Sequence, residues 1–173
     1  MSDEQVKNII ISWEGIRLIE SITDAKNPGV ETLEGRIGPL LKGDGSQAHF
    51  IEMPGDLYCH EHSHSTESII FTVKGRWVLC SGGRRNLMQP GSLFWFKAGT
   101  PTGYEVPFAE AAFILIFKVD RDDMDADGFI EYLQGLRQRL EKSHQEGMTF
   151  KMSELPLDHP ARIYARGLGA EGA

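Results

Sequence analysis

Cysteine is almost missing: two residues, Cys59 and Cys80, in a chain of 173. Two are too few for the disulfide framework of a small secreted domain, so a reducing, cytoplasmic setting is expected. Long apolar runs are missing as well. Ala111 to Phe117 has the length of a strand and falls far short of a membrane-crossing helix. The N-terminus, Met1-Ser2-Asp3-Glu4-Gln5, is acidic and leads into no signal-peptide core. Positive charge is in deficit, since 18 Lys and Arg against 25 Asp and Glu leave a net −7. That balance argues against nucleic acid or an anionic membrane surface as partner. There are no internal repeats, no low-complexity tracts and no linker long enough to divide the chain. With 40% hydrophobic and 25% charged residues, the expectation is one soluble globular domain with a real core.

What is present is concentrated in one short stretch. His60, His62 and His64 stand at alternate positions, with Glu67 just beyond. Side chains at i, i+2 and i+4 of a strand leave the same face, so two or three imidazoles can converge there. Imidazole with carboxylate suits Fe, Mn, Ni or Zn better than Ca or Mg, which prefer all-oxygen shells. A divalent transition metal is therefore the expected cofactor. The plainer alternative is a polar strand edge whose histidines are solvated.

Downstream, Ser68 to Cys80 forms two β-rich runs around Gly75, followed by a Gly82-Gly83 turn and a short strand from Asn86 to Gln89. Then comes Pro90 to Thr102, punctuated by Gly91 and Gly99. With this pattern the chain resembles the cupin superfamily, as a small single-domain RmlC-like jelly-roll cupin, over roughly Gln47 to Val119. The first cupin motif runs glycine, spacer, His-x-His, three or four residues, Glu, six residues, Gly. Gly55, the histidines, Glu67 and Gly75 answer to it. The second runs glycine, five residues, Pro-x-Gly, two residues, His, three residues, Asn. Gly91, Gly99 and Thr100-Pro101 answer to that one.

The departures bear on the site. Counting from His60-x-His62 reaches Glu67 but leaves seven residues before Gly75, whereas counting from His62-x-His64 fits Gly75 but lands on Ser68. Either a bulge shifts the strand by one and lets Glu67 serve, or the carboxylate ligand is lost. In the second motif Lys97 replaces the proline and Thr102 replaces the last histidine. The resemblance implies a metal held by His62, His64 and Glu67, with His60 as substitute if the register shifts. Around it, His49, Thr102 and Tyr104 are the expected pocket residues.

The implied fold class is all-β: a jelly-roll β-barrel with a C-terminal amphipathic α-helix. Residues 1–46 are expected as an N-terminal extension of strands, 47–120 as the barrel core and 121–173 as helix and tail of the same domain. Val6 to Ile11 is β-branched and is expected to lie against a second copy in a homodimer. Trp13 to Asp24 reads equally as strand or short helix. Ala111 to Val119, almost wholly apolar, reads as a strand covered on both sides. Phe129, Leu133, Leu136 and Leu140 recur at helical spacing, so Gly128 to Gln145 is expected as the amphipathic helix. The tail beyond Met148, with Pro156 and Pro160, is expected to be irregular. Asp123, Asp125, Asp127 and Gly128 imitate an EF-hand loop, but its twelfth position is Gln134, so helix capping is the expectation.

Three functions fit these residues. One is a metal-dependent enzyme on a small molecule, with two histidines and one carboxylate leaving positions open for O2 as in non-haem Fe(II) oxygenases. Another is a non-catalytic small-molecule binder with weak or no metal. The last is isomerase or epimerase chemistry on a sugar, with His62 or His64 as base and Tyr58 or Tyr104 as acid.

Overall fold

The computed structural model describes residues 10–119 and 124–170. Its strands are β1 (Ile10–Trp13), β2 (Ile16–Ile19), β3 (Val30–Thr32), β4 (Gly35–Lys42), β5 (Ser46–Met53) and β6 (Tyr58–His62). They continue as β7 (Ser68–Lys74), β8 (Trp77–Ser81), β9 (Arg84–Met88), β10 (Leu93–Phe96), β11 (Thr102–Glu105) and β12 (Ala112–Val119). Helix α1 (Ala126–Gln145), a 3-10 turn at Met152–Glu154 and helix α2 (Pro160–Gly167) follow. The six-stranded sheet has the order β10-β7-β12-β5-β4-β3, and the four-stranded sheet β6-β11-β8-β9. All pairings are antiparallel, and among the described residues no ladder joins the two sheets into a closed barrel.

The core lies between the two sheets. Trp77 and Tyr104 stack at 5.3 Å between ring centroids within a cluster that includes Met53, Ile70, Ile114 and Val106. Trp77 Nε1 donates to Thr72 Oγ1 at 2.9 Å, so the buried indole keeps a partner. Helix α1 packs Phe129 and Leu133 on Val30 and Ile37, closing β3 and β4 from one side. It starts two residues earlier than the apolar spacing suggested, because Asp125 is its N-cap and accepts from Gly128 N at 2.8 Å. That contact commits Asp125 to capping; Asp123, the first position of the EF-hand imitation, lies outside the described residues.

The tail is more ordered than its prolines suggested. Met152, Leu155, Ala161 and Ala165 pack on Tyr58 and Phe108 at the outer face of the smaller sheet. Pro160 opens α2, where a missing N–H costs nothing, and His159 Nδ1 caps it by accepting from Ala161 N at 3.2 Å. On the smaller sheet Arg85 pairs with the buried Glu105 at 2.9 Å. Burial pushes the Glu105 carboxyl up, while the guanidinium pulls it down.

One open reading is decided and one expectation is narrowed. Trp13 to Asp24 contains a strand, β2, which pairs with β1 in a hairpin, Ile11 facing Leu18. Residues 6–9 of the expected N-terminal strand lie outside the described residues. The strand β12 is covered on both sides only in its first half, since Phe117 and Val119 are exposed.

Candidate functional site

A cavity of about 480 Å³ lies between the sheets and against α1. Ile51, Ile70, Phe96 and Ile116 of the strands and Phe129 and Leu133 of α1 give it an apolar wall. Its polar lining includes Glu34, His49, Cys59, His62, His64 and Lys118. A mostly apolar cleft of this size with a few convergent polar groups has the character of a small-molecule site.

The phase of β6 decides which side chains enter. Against β11, Thr102 pairs with His62 and Tyr104 with Cys59, so three steps on β6 match two on β11. The extra residue is a β-bulge opposite Gly103, where a Cβ would stand 3.0 Å from the Cys59 carbonyl oxygen and 3.2 Å from Glu61 N. The bulge lets Cys59 and His62 approach on one side although they are three apart: Cys59 Sγ lies 3.8 Å from His62 Nδ1. Glu34 reaches the same point from the turn between β3 and β4. Thr32 Oγ1 accepts from Glu34 N at 3.1 Å and donates to Gly35 O at 2.8 Å, which tightens that turn. Gly35 has φ +113° and would bring a Cβ to 2.4 Å from the Glu52 carbonyl, so no other residue fits there without distortion.

The resulting cluster is compact. Ligand atoms of Glu34, Cys59 and His62 all lie within 4.8 Å of one another. Cys59 Sγ donates to Glu34 Oε1 at 3.3 Å. Burial, reinforced by the neighbouring carboxylate, pushes the thiol well above the ordinary cysteine range. His62 Nδ1 donates to the His60 carbonyl at 2.9 Å, which leaves Nε2 with the lone pair. Metal-binding imidazoles are oriented in this way, by a hydrogen bond from the other ring nitrogen. The donor set of thiol, imidazole and carboxylate suits a borderline-soft divalent ion. The residues therefore fit a metal of that kind.

The other expected residues take varied positions. The His64 ring meets His62 edge-on at 4.7 Å and lies 5.7 Å from Phe96. His60 lines the cavity, with Nε2 donating to the Thr149 carbonyl at 3.1 Å and its ring edge-on to Tyr58. His49 is buried on the lining with its ring 5.1 Å from Phe129. Glu67 is exposed and accepts from Trp95 Nε1 at 2.6 Å, so the structure does not bring it to the histidines. Tyr104 lines the cavity and Thr102 is buried beside it, their hydroxyls 3.2 Å apart. Burial raises the Tyr104 phenol above its ordinary range, and Tyr58 turns outward to His159, so neither is a convenient proton donor near neutrality. Sequence reasoning passed over Glu34 and Cys59. Neither the turn that carries Glu34 nor its partner 25 residues away was marked in the sequence.

Two antiparallel sheets facing each other across a ligand-sized cavity match the jelly-roll architecture expected of a cupin. Residues 45–146 match the family described as the AraC-like ligand binding domain, and the chain belongs to that family. No curated protein matches. Among solved structures, the DMSP lyase DddQ from Ruegeria pomeroyi DSS-3 is similar at 21% identity and a TM-score of 0.43, over 48% of this chain and 42% of that one. KdgF from Halomonas sp. is similar at 20% identity and a TM-score of 0.46, over 52% of this chain and 83% of that one. The polyketide cyclase RemF from Streptomyces resistomycificus is similar at 21% identity and a TM-score of 0.46, over 62% and 82%. None of these likenesses bears on what this chain binds.

Proposed function

We propose that this cupin binds a small organic molecule in the cavity, beside a divalent transition metal held by Glu34, Cys59 and His62. The observation that carries the reading is the convergence of those three donors, within 4.8 Å of one another, on the lining of the cavity. Glu34 takes the carboxylate role that the spacing suggested for Glu67, and His64 stands next to the site. Zinc is the ion this donor set favours, ahead of Fe, Mn or Ni, because a thiolate is among the ligands. When bound with three protein ligands, such an ion supplies a Lewis acid with a position left for a ligand oxygen. The chain's own residues do the rest. The wall of α1 and the strands excludes water, and His62 is held in one tautomer by the His60 carbonyl.

A metal-free binder is the second reading, and one observation favours it. The Cys59 thiol already satisfies Glu34 by hydrogen bonding, so the pair is stable without an ion. Protein purified without chelator and equilibrated with zinc separates the two. His62→Ala should lose bound zinc, since loss of one ligand costs at least roughly tenfold in affinity. His144→Ala should retain it, because His144 is exposed and bonded to the Met148 carbonyl. Equal zinc in wild type and His62→Ala contradicts the metal reading.

We propose further that the chain is a homodimer acting in the cytoplasm. Support for the first comes from the β1–β2 hairpin, where Ile11, Trp13, Ile16 and Leu18 are all exposed. A lone two-stranded hairpin is marginal in water, and a second copy is the partner that would cover it. For the second, both cysteines are free, and no helix among the described residues is long and apolar enough to cross a membrane.

A further inference from the structure

We propose that Glu61 is a positioning residue for the metal site, a strut from the bulge in β6 to the turn between β8 and β9 that keeps Cys59 and His62 converged on Glu34. This rests on the metal reading above and names what holds that site in shape. The need for a strut comes from the bulge itself. His60 and Glu61 together stand opposite the single residue Gly103, between the Cys59–Tyr104 and His62–Thr102 pairs. A bulge breaks the ladder locally and leaves a residue unpaired. Here the break falls between two ligands, so the pairing of β6 with β11 does not by itself fix their relative placement.

The Glu61 side chain supplies a second hold. The residue is exposed, yet its carboxylate has three donors. Oε1 accepts from Cys80 Sγ at 2.9 Å and from Gly83 N at 3.1 Å, and Oε2 accepts from Gly82 N at 2.9 Å. All three donors lie at the end of β8 and in its turn into β9. In the sheet order β6-β11-β8-β9 that is beyond the intervening strand. The side chain crosses β11 at Gly103, where a Cβ would stand 3.2 Å from Glu61 Cγ. Glycine thus serves twice at that point, admitting the bulge and opening the path over it. Gly82 and Gly83 have φ of +58° and +76°, and successive amides in such a turn form a concavity that binds an anion. Hydrogen bonds to an ionised acceptor are also the stronger kind. Glu61 borders the cavity, but this turn engages its carboxylate, so it braces the site instead of meeting a ligand.

The strut acts on the ligands through the chain on either side of it. Residue 61 joins His62 to His60, whose carbonyl accepts from His62 Nδ1 at 2.9 Å. Tilting of the Glu61 peptide would part that carbonyl from the ring, and the lone pair would no longer be confined to Nε2. Cys59, on the other side of the bulge, would lose its 3.8 Å approach to His62 Nδ1.

Two measurements on the full chain test this. The first is zinc affinity, by competition with a chromophoric chelator. Glu61→Ala should bind zinc about tenfold or more weakly, the range for losing a group that orients a ligand. Glu61→Gln, with the same length and one acceptor oxygen left, should recover part of that loss. Glu67→Ala, which removes an exposed carboxylate bonded to Trp95 away from the histidines, should bind as wild type does. The second is the His62 tautomer, read without metal by long-range 15N–1H correlation at about pH 8, above the ordinary imidazole pKa. Wild type should carry the proton on Nδ1, and Glu61→Ala should show both tautomers, a change that a general loss of stability does not produce. Should Glu61→Ala not fold, Glu61→Gln carries both measurements, with smaller changes in the same directions. Zinc affinity or a His62 tautomer left as in wild type overturns the inference, as does an equal loss of zinc in Glu67→Ala. If wild type itself takes up no zinc, the metal reading fails, and the tautomer alone decides whether Glu61 holds the bulge.

Discussion

Cys59 and His62 are three residues apart, and on an unbroken strand they would leave opposite faces. The bulge opposite Gly103 removes that opposition. This is why His62 and His64 were legible from period-two spacing and Cys59 was not. A bulge was anticipated as a means of bringing in Glu67; the one found lies earlier, in β6, and brings in Cys59. Glu34 was illegible for a different reason, since only the pairing of β4 with β5 carries the Thr32–Gly35 turn to β6's neighbourhood. His159 illustrates the same limit, since no local signal in the sequence marks it as the cap of α2. Burial, Arg85 and His60 lower its pKa, so the folded state binds fewer protons than the unfolded one. Its stabilisation is complete above the unfolded value, near pH 6.5, and fades as the pH falls towards the folded value. His159→Asn keeps a capping acceptor that does not titrate. The urea midpoint of wild type should therefore fall more than that of the variant between about pH 7.5 and about pH 5.5. The excess is expected to stay below about 1 kcal/mol, because the ring is largely solvated. Parallel pH profiles would remove His159 as the cause.

Strands were the legible elements, because glycines and prolines mark their ends. Gly75 separates β7 from β8, Gly82-Gly83 turns β8 into β9, and Pro90-Gly91 precedes β10. Helix α1 was legible from its apolar spacing, and its start was misjudged only by the reach of the Asp125 cap. Helix α2 was missed because Pro160 was taken as a breaker, when at the first helical position proline is a starter. Exposure on β12 was missed because an apolar run does not say which of its faces the fold will cover. The β1–β2 hairpin carries the prediction at this scale. Deleting residues 1–18 keeps Ile19 on the sheet, where it packs near Leu40, Phe50 and Phe113. Light scattering should then show wild type at twice the chain mass and the truncated protein shifted towards monomer. A monomer in both, or a dimer in both, contradicts a role for the hairpin in association.

At the scale of the molecule, one fold serves one cavity. The sheets, α1 and the turn before β4 each contribute to a single lining, and the aromatic packing of Trp77 and Tyr104 fills the space beside it. At the site proposed there, Cys59, pointed inward by the bulge, is a metal ligand together with Glu34 and His62. Titration with Co(II), followed in the ultraviolet and visible, addresses this most directly, because a thiolate bound to cobalt gives a charge-transfer band that imidazole and carboxylate do not. Wild type should give such a band saturating at about one equivalent, with loss of a proton from the thiol, and Cys59→Ser should give none. Cobalt binding without a thiolate band, or a band that persists in Cys59→Ser, would contradict that assignment.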